Sequence, residues 1–330
     1  MIQFSKYCML SIALLVASCS NKDTNIVRIT ELPESIQLAG TPVYISSEEP
    51  LIVGNIESIG DRLILYLYNN ENFLASVDSQ FGDVIYFAHK GDGPGELSGI
   101  SGKYNMRSSK YGEYLLFDPY KKKIFSYTQS DGYNLSLICD FKEFKVKYYP
   151  QKILLLKDGN IVSPLQNTYG LQMYDKEQEK IIDWPLGYEF DKKRPIEEHI
   201  VLRAFDYDPI LGLVGEIYGS FPSLILHNEG GGVELRIDFP IFKAIKKEEG
   251  DLSEVFKDIQ MTDKYIYLLY GDEEIEEFNK VIQLSYEGVI VKVMDIYPAS
   301  TILVEEDKNR IFGVNPNEEE YNVVEYNMPT

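Results

Sequence analysis

The sequence predicts an all-β fold, a six-bladed β-propeller whose last blade is closed by an N-terminal strand. Three observations lead there. A turn followed by a short apolar strand recurs six times, at separations of roughly 45 to 52 residues, the length of a four-stranded blade. The chain carries 25 Tyr and 16 Phe, set mostly in short alternating runs, the period-two pattern of β-strands. The sixth unit stops one strand short at Thr330, while a strand-like segment near the N-terminus has no other obvious partner.

The landmark appears as Gly60-Asp61-Arg62-Leu63-Ile64-Leu65, Gly112-Glu113-Tyr114-Leu115-Leu116-Phe117 and Asp158-Gly159-Asn160-Ile161-Val162. It returns as Ile210-Leu211-Gly212-Leu213-Val214, Asp263-Lys264-Tyr265-Ile266-Tyr267-Leu268 and Asp307-Lys308-Asn309-Arg310-Ile311-Phe312. Gly, Asp and Asn tolerate the backbone conformations of tight turns, so each landmark reads as a hairpin entering a strand. A second strand follows each one: Phe73–Val77, Lys123–Tyr127, Leu171–Tyr174, Ser223–Leu226, Val281–Leu284 and Val323–Tyr326. Most of these run into another hairpin signal, such as Ser79-Gln80-Phe81-Gly82, Gly230-Gly231-Gly232 or Tyr286-Glu287-Gly288. A last strand then closes the unit, as in Val84–Phe87 and Val289–Val293. Either Ile26–Ile29 or Ile36–Leu38 would complete the sixth blade and remove two exposed sheet edges. Two stacked β-sandwiches would leave that strand and the sixfold spacing unexplained. Helical patterning is confined to Pro240–Asp258, expected as an insertion before the fifth blade, and Phe190–Glu198 reads as a rim loop or short helix.

Residues 1–18 read as a lipoprotein signal peptide. Lys6 supplies the basic start, Cys8–Ala17 the apolar run, and Val16-Ala17-Ser18-Cys19 a small-residue cleavage site ending in cysteine. The apolar run is far shorter than the roughly 20 residues of a membrane span. Cleavage leaves Cys19 first, ready for lipidation, and residues 19–25 form a polar tether before a propeller domain spanning 26–330. Ser20 lacks the acidic character that retains lipoproteins at the inner membrane, which favours an outer-membrane lipoprotein facing the periplasm or the cell surface. The expected partner is the membrane itself, through the lipid anchor.

Composition narrows the function. The mature chain loses Cys8 and lipidates Cys19, so Cys139 alone remains and no internal disulfide can form. A net charge of −20 without a Lys/Arg cluster excludes nucleic acid as a partner. The basic run Lys121-Lys122-Lys123 reads as a solvated turn.

The loop Gly91-Asp92-Gly93-Pro94-Gly95-Glu96-Leu97 resembles a motif of TolB-like six-bladed propeller lipoproteins of Bacteroidetes. In architecture the resemblance extends over essentially the whole mature chain. It implies the fold and the cell envelope, and it brings no catalytic residues. Lys22-Asp23 is similar to surface-export signals of such lipoproteins. Physically, Gly91, Gly93 and Gly95 let the backbone turn where a side chain would clash, and Pro94 stiffens it. The loop lacks the Lys-Ser/Thr ending of a phosphate-binding loop, so a structural connection between blades is expected.

No catalytic constellation emerges. His89, His199 and His227 are isolated, with neither His-x-His nor a calcium-loop pattern, so no metal site and no cofactor are expected. Gly-x-Ser-x-Gly is absent, and Cys139 lies in the apolar stretch Leu137-Ile138-Cys139. The acidic runs Asp272–Glu277 and Glu318–Glu320 read as solvated loops. The expectation is a binding or scaffolding module for an envelope protein, peptide or glycan, using propeller loops. Tyr120, Tyr169, Tyr188, Tyr207 and Tyr218 are candidates for that surface, against the alternative that they pack between blades. The competing expectation is a lactonase-like or sugar-lyase-like enzyme with a metal in the channel, argued from fold alone.

Changing Cys19 to Ala is predicted to abolish lipidation and leave the body soluble or its signal uncleaved. Acyl labelling and membrane fractionation check this, and unchanged labelling would refute the cleavage-site reading.

Overall fold

The computed structural model describes residues 25–47, 50–93, 95–100, 107–108, 113–118, 120–128, 132, 134–140, 152–165, 170–175, 177–185, 202–218, 222–242, 255–272, 277–318 and 322–329. They form six antiparallel four-stranded sheets, two of them extended by a fifth strand. Blade 1 runs through Val53–Ile59, Arg62–Leu67, Asn72–Val77 and Val84–His89, from the inner strand outward. Blade 2 comprises Arg107–Ser108, Glu113–Asp118, Lys123–Thr128 and Ser136–Asp140; blade 3 comprises Leu154–Leu155, Ile161–Ser163, Gln172–Asp175 and Lys180–Asp183. Blade 4 comprises Leu202–Asp208, Leu213–Tyr218, Ser223–Asn228 and Val233–Asp238; blade 5 comprises Phe256–Met261, Ile266–Asp272, Glu277–Leu284 and Ile290–Asp295. Blade 6 comprises Thr301–Glu305, Arg310–Val314 and Val323–Asn327, with Gly40–Pro42 as its outer strand.

The ring is therefore closed by an N-terminal strand, but a different one from either expected segment. Asn25–Arg28 lies parallel to the outer strand of blade 4, with Ile26 opposite Arg236 and Val27 opposite Ile237. Ile36–Gln37 lies parallel to the outer strand of blade 5, with Ile36 opposite Met294. Gly40–Pro42 then pairs antiparallel with Val323–Asn327, Gly40 opposite Tyr326. The N-terminal segment is thus a belt across three consecutive blades. Two apolar residues anchor it: Ile29 enters the cluster between blades 4 and 5, and Leu38 that between blades 5 and 6. The closing tripeptide Gly-Thr-Pro carries no apolar signature because it is an edge strand pressed onto a ring: a Cβ on Gly40 would stand 2.6 Å from Tyr326.

Apolar residues collect in six clusters, one at each seam between neighbouring blades. Phe312 and Val314 of blade 6 meet Leu63, Leu65 and Val77 of blade 1, for example, and Leu116 of blade 2 meets Ile64 and Leu74 of blade 1. Where a blade is covered on both faces its middle strands are buried in unbroken runs rather than in the expected alternation, as in Leu63-Ile64-Leu65-Tyr66-Leu67, whereas Lys123–Thr128 keeps part of the alternation. That double burial absorbs the aromatic load; Tyr127, Tyr267 and Tyr326 are among the largest fully buried side chains.

The expected hairpins sit where the landmarks placed them. Gly60, Gly159 and Gly212 all take positive φ, and in blade 6 Asn309 takes the left-handed position (φ 54°) after a single 3-10 turn at Glu306–Lys308. That turn is the sole helical element among the described residues, where no helix is long and apolar enough to cross a membrane. Of the expected helix at Pro240–Asp258, Phe256–Asp258 form strand in blade 5, and residues 243–254 lie outside the described residues, as does Phe190–Glu198.

Three truncations separate belt from tether. Removing residues 20–24 should leave the melting temperature unchanged. Removing 20–38 should lower it, since Ile29 and Leu38 each withdraw a buried side chain worth about 1.5–3 kcal/mol. Removing 20–42 should lower it further and promote aggregation through the opened edge of blade 6. Thermal unfolding of the unlipidated forms measures all three, and equal melting temperatures would refute the belt's role.

Candidate functional site

The inner strands carry no clear strand signature in the sequence, because they mix apolar with polar residues. They line the central channel and hold its chemistry. Lys152 Nζ lies 3.3 Å from Asp206 Oδ1, joining blades 3 and 4, with both side chains buried. Asp206 Oδ2 accepts the Met261 N–H of blade 5 at 2.6 Å. Asp258 Oδ2 of blade 5 accepts the Thr301 hydroxyl at 2.6 Å and the Ile302 N–H of blade 6 at 3.1 Å. Burial raises the Asp258 carboxyl above its usual range, partly offset by Lys152 and by these donors, while Asp206 adds to the rise. Gln260 makes a two-point clamp on blade 6: Val304 N–H donates to its Oε1 at 2.6 Å, and its Nε2 donates to Val304 O at 3.2 Å. Asn322 clamps Val53 of blade 1 in the same way, at 2.8 and 2.9 Å.

Above this cross-linked ring, where inner strands turn into second strands, a cavity of about 420 Å³ opens. All six blades contribute to its wall: Glu57 and Ser58 from blade 1, Leu115 from blade 2, Leu154 from blade 3, Tyr207 from blade 4, Gln260 and Met261 from blade 5, and Leu303 from blade 6. The turns at Thr262-Asp263 and Glu306-Asp307-Lys308 form part of its rim. Glu306 is fixed by two neutral donors, the hydroxyls of Thr262 at 2.7 Å and Tyr267 at 2.9 Å. Burial, and then the charge of Glu306, push the Tyr267 hydroxyl far above its usual pKa, so it stays protonated and donates. Gln283 Nε2 supports that hydroxyl from behind at 3.1 Å. Glu305 points into a separate ion-pair group with Lys308 at 2.7 Å and Arg310 at 2.6 Å. The volume suits a small ligand or a few residues of a larger one.

Of the tyrosines singled out, Tyr207 lines this cavity; it is 5% exposed, packs between blades 3 and 4, and donates its hydroxyl to Glu229. Tyr218 is buried, with burial and Glu216 both raising its hydroxyl pKa. Tyr120 is 77% exposed on the turn between the second and third strands of blade 2. Tyr169 and Tyr188 lie outside the described residues, as does Cys19. Part of the cavity wall shares one sequence signal: Glu57, Ser58, Gln260, Met261, Thr262, Glu305 and Glu306 directly precede or occupy the recurring turns at Gly60, Asp263 and Asp307.

The glycine loop joins blades 1 and 2. Glu96 folds back so that its Oε2 accepts the Gly93 N–H at 2.8 Å, and a Cβ on Gly91 would stand 2.1 Å from that oxygen. The hollow that could have met a phosphate is filled by the chain's own carboxylate. Pro94 lies outside the described residues, and Gly95 takes φ 79°. Lys121 is not merely solvated: its Nζ donates to Glu96 O at 2.7 Å, tying the loop to blade 2.

His227 is fully buried in blade 4, with Nε2 2.8 Å from Glu216 Oε1, and His89 ends the outer strand of blade 1; His199 lies outside the described residues. Among the described residues no three His, Cys, Asp or Glu side chains are grouped to share a metal ion.

No protein-family model and no curated protein matches the chain. Solved structures do. A protein of Bacteroides fragilis NCTC 9343 described as exported matches with a TM-score of 0.59 at 12% identity, over 93% of this chain and 100% of that one. The β-propeller domain of Cps50 (Swd1) from Myceliophteria thermophila matches with a TM-score of 0.50 at 8% identity, over 88% of this chain and 100% of that one. At such identities the likeness shows the fold alone. The chain folds as a six-bladed β-propeller.

Replacing Gln260 with Ala should cost about 1–3 kcal/mol, because the channel-facing N–H and C=O of Val304 lose both partners at once. Asp263→Asn, on the exposed turn beside it, should change stability by less than about 0.5 kcal/mol. Chemical denaturation of the two variants measures the difference, and equal midpoints would show that the clamp contributes nothing.

Proposed function

We propose that this protein is an exported, TolB-like lipoprotein of the cell envelope, held at the outer membrane by acylated Cys19. In this reading its propeller binds a peptide, protein or glycan at one mouth of the channel. The observation that carries it is the cavity of about 420 Å³ walled by all six blades. A recess to which every blade contributes is held by the sheets themselves and, from blade 3 round to blade 1, by side-chain links between neighbouring blades. Its lining combines apolar side chains with a few fixed polar groups, the mixture that gives a ligand both burial and orientation. The signal-like N-terminus supports export, and the description of the Bacteroides fragilis protein as exported agrees with it.

The test uses the mature chain immobilised by its C-terminus and exposed to envelope extract and to a glycan array. Ser58→Trp, a half-buried position on the cavity wall, should fill the recess and abolish retention while preserving the melting temperature. Retention that survives Ser58→Trp would move the site elsewhere on the propeller. Turnover of a substrate without retention of any ligand would replace binding with catalysis.

A further inference from the structure

We infer that the seam between blades 3 and 4 is a pH-sensitive joint, held closed by one proton shared between His227 and Glu216 and loosened when that proton leaves. His227 stands in the third strand of blade 4 and Glu216 in the second, and both side chains are buried, at 0% and 1% exposure. His227 Nε2 lies 2.8 Å from Glu216 Oε1, and Nδ1 lies 3.2 Å from the carbonyl oxygen of Gly231 in the hairpin that follows. Both ring nitrogens therefore face oxygen. A neutral imidazole carries one N–H and cannot serve a carboxylate and a carbonyl together. One further proton satisfies both contacts, either on the ring as an imidazolium or on Glu216 as a donor to Nε2. Without it a lone pair faces an oxygen in a buried site, whichever nitrogen keeps its hydrogen.

The surroundings magnify the effect of that proton. Blade 3 packs Leu154, Leu156, Val162, Leu171 and Trp184 into this seam, and the Trp184 ring centre lies 5.4 Å from that of His227. The indole also rests on Gly231, where a Cβ would stand 2.6 Å from it, so ring, hairpin and neighbouring blade meet at one point. Of the ionisable groups nearby, Tyr218 is kept protonated by burial and by the Glu216 carboxylate, and Tyr207 gives its hydroxyl to Glu229 of the hairpin. Lys152 pairs with Asp206 toward the channel. Among the described residues the charge acting on His227 is that of Glu216, whose second oxygen makes no hydrogen bond. Burial works against the imidazolium, but the Glu216 charge, its hydrogen bond and the Gly231 carbonyl together outweigh burial and raise the ring above its ordinary pKa of 6.5. A histidine raised in the folded state contributes its stability in full below its unfolded value and loses it as pH rises through the folded one. Leu154, Leu156 and Tyr207 also line the channel-mouth cavity, so the joint adjoins that recess.

Trp184 is the single tryptophan of the chain, and its contact with His227 makes it the reporter, since an imidazolium quenches indole emission more than a neutral imidazole does. The mature chain is titrated from about pH 6 to about pH 9, the range in which a raised histidine changes charge, while Trp184 emission and the melting temperature are followed. The expected result is a rise in emission and a fall of several degrees in melting temperature around one midpoint above pH 6.5. Both changes should be absent from Glu216→Gln/His227→Gln, in which two neutral side chains keep a hydrogen bond. Should that variant fail to fold, His89→Gln/His199→Gln leaves His227 as the one histidine of the original 3, and the pH dependence of its ring ¹⁵N shifts gives the midpoint directly. The inference is overturned if emission and melting of the wild type change no more than those of the double glutamine variant, or if His227 titrates at or below pH 6.5. The joint works without a ligand, so neither result bears on the cavity as a binding site.

Discussion

A propeller closes a ring of sheets but leaves six inner edges facing one channel. Each inner strand presents N–H and C=O groups there with no neighbouring strand to pair them, and an unpaired buried backbone group costs as much as a lost hydrogen bond. Side chains of the adjacent blade meet that need. Asp206 accepts from Met261, Asp258 from Ile302, Gln260 grips both polar groups of Val304, and Asn322 both of Val53. These contacts satisfy backbone groups on the inner edges of blades 5, 6 and 1 and tie each of those blades to the one before it in the same act. The channel is polar because its backbone must be satisfied, before any ligand is considered.

The outer rim solves the same problem by other means. The N-terminal belt adds parallel strands to blades 4 and 5 and completes blade 6, covering three consecutive outer edges. Ile29 and Leu38 seat it in two seams, so belt and core reinforce each other. Between blades 1 and 2 the link is a loop, whose Glu96 occupies its own glycine hollow while Lys121 holds its carbonyls. A seam of the ring can therefore be secured by strand, by side-chain clamp or by loop.

The cavity follows from this construction. Inner strands converge, and where they turn outward the ring widens into a recess whose walls cannot move independently. Thr262, Tyr267 and Gln283 orient Glu306 within that rigid frame, and the short 3-10 turn at Glu306–Lys308 brings three charged residues to the rim at once. The recess is thus framed by sheet from every blade and rimmed by charged side chains of both signs, Lys157 and Lys308 among the carboxylates.

Much of the architecture was legible in the chain. The turns at Gly60, Asp158-Gly159 and Asp263 announce themselves because tight hairpins demand residues that tolerate unusual backbone angles. The second and third strands of each blade are strongly apolar, and their spacing of roughly 45 to 52 residues counts the blades. The inner strands were not legible: Asp206, Asp258 and Gln260 look like loop residues until a neighbouring blade supplies the N–H groups they accept. The closing strand was hidden for a related reason, since Gly40-Thr41-Pro42 owes its place to the ring of Tyr326 and not to its own hydrophobicity. Burial of Tyr207 and Tyr218 could not be told from exposure, because a tyrosine at a strand end has the same sequence signature in either state. Local sequence thus determined the repeating unit and its number, which depend on turns and on contacts within a blade. Tertiary structure alone decided the clamps, the belt and the cavity, because each is made of residues far apart in the chain that meet only once the ring has closed.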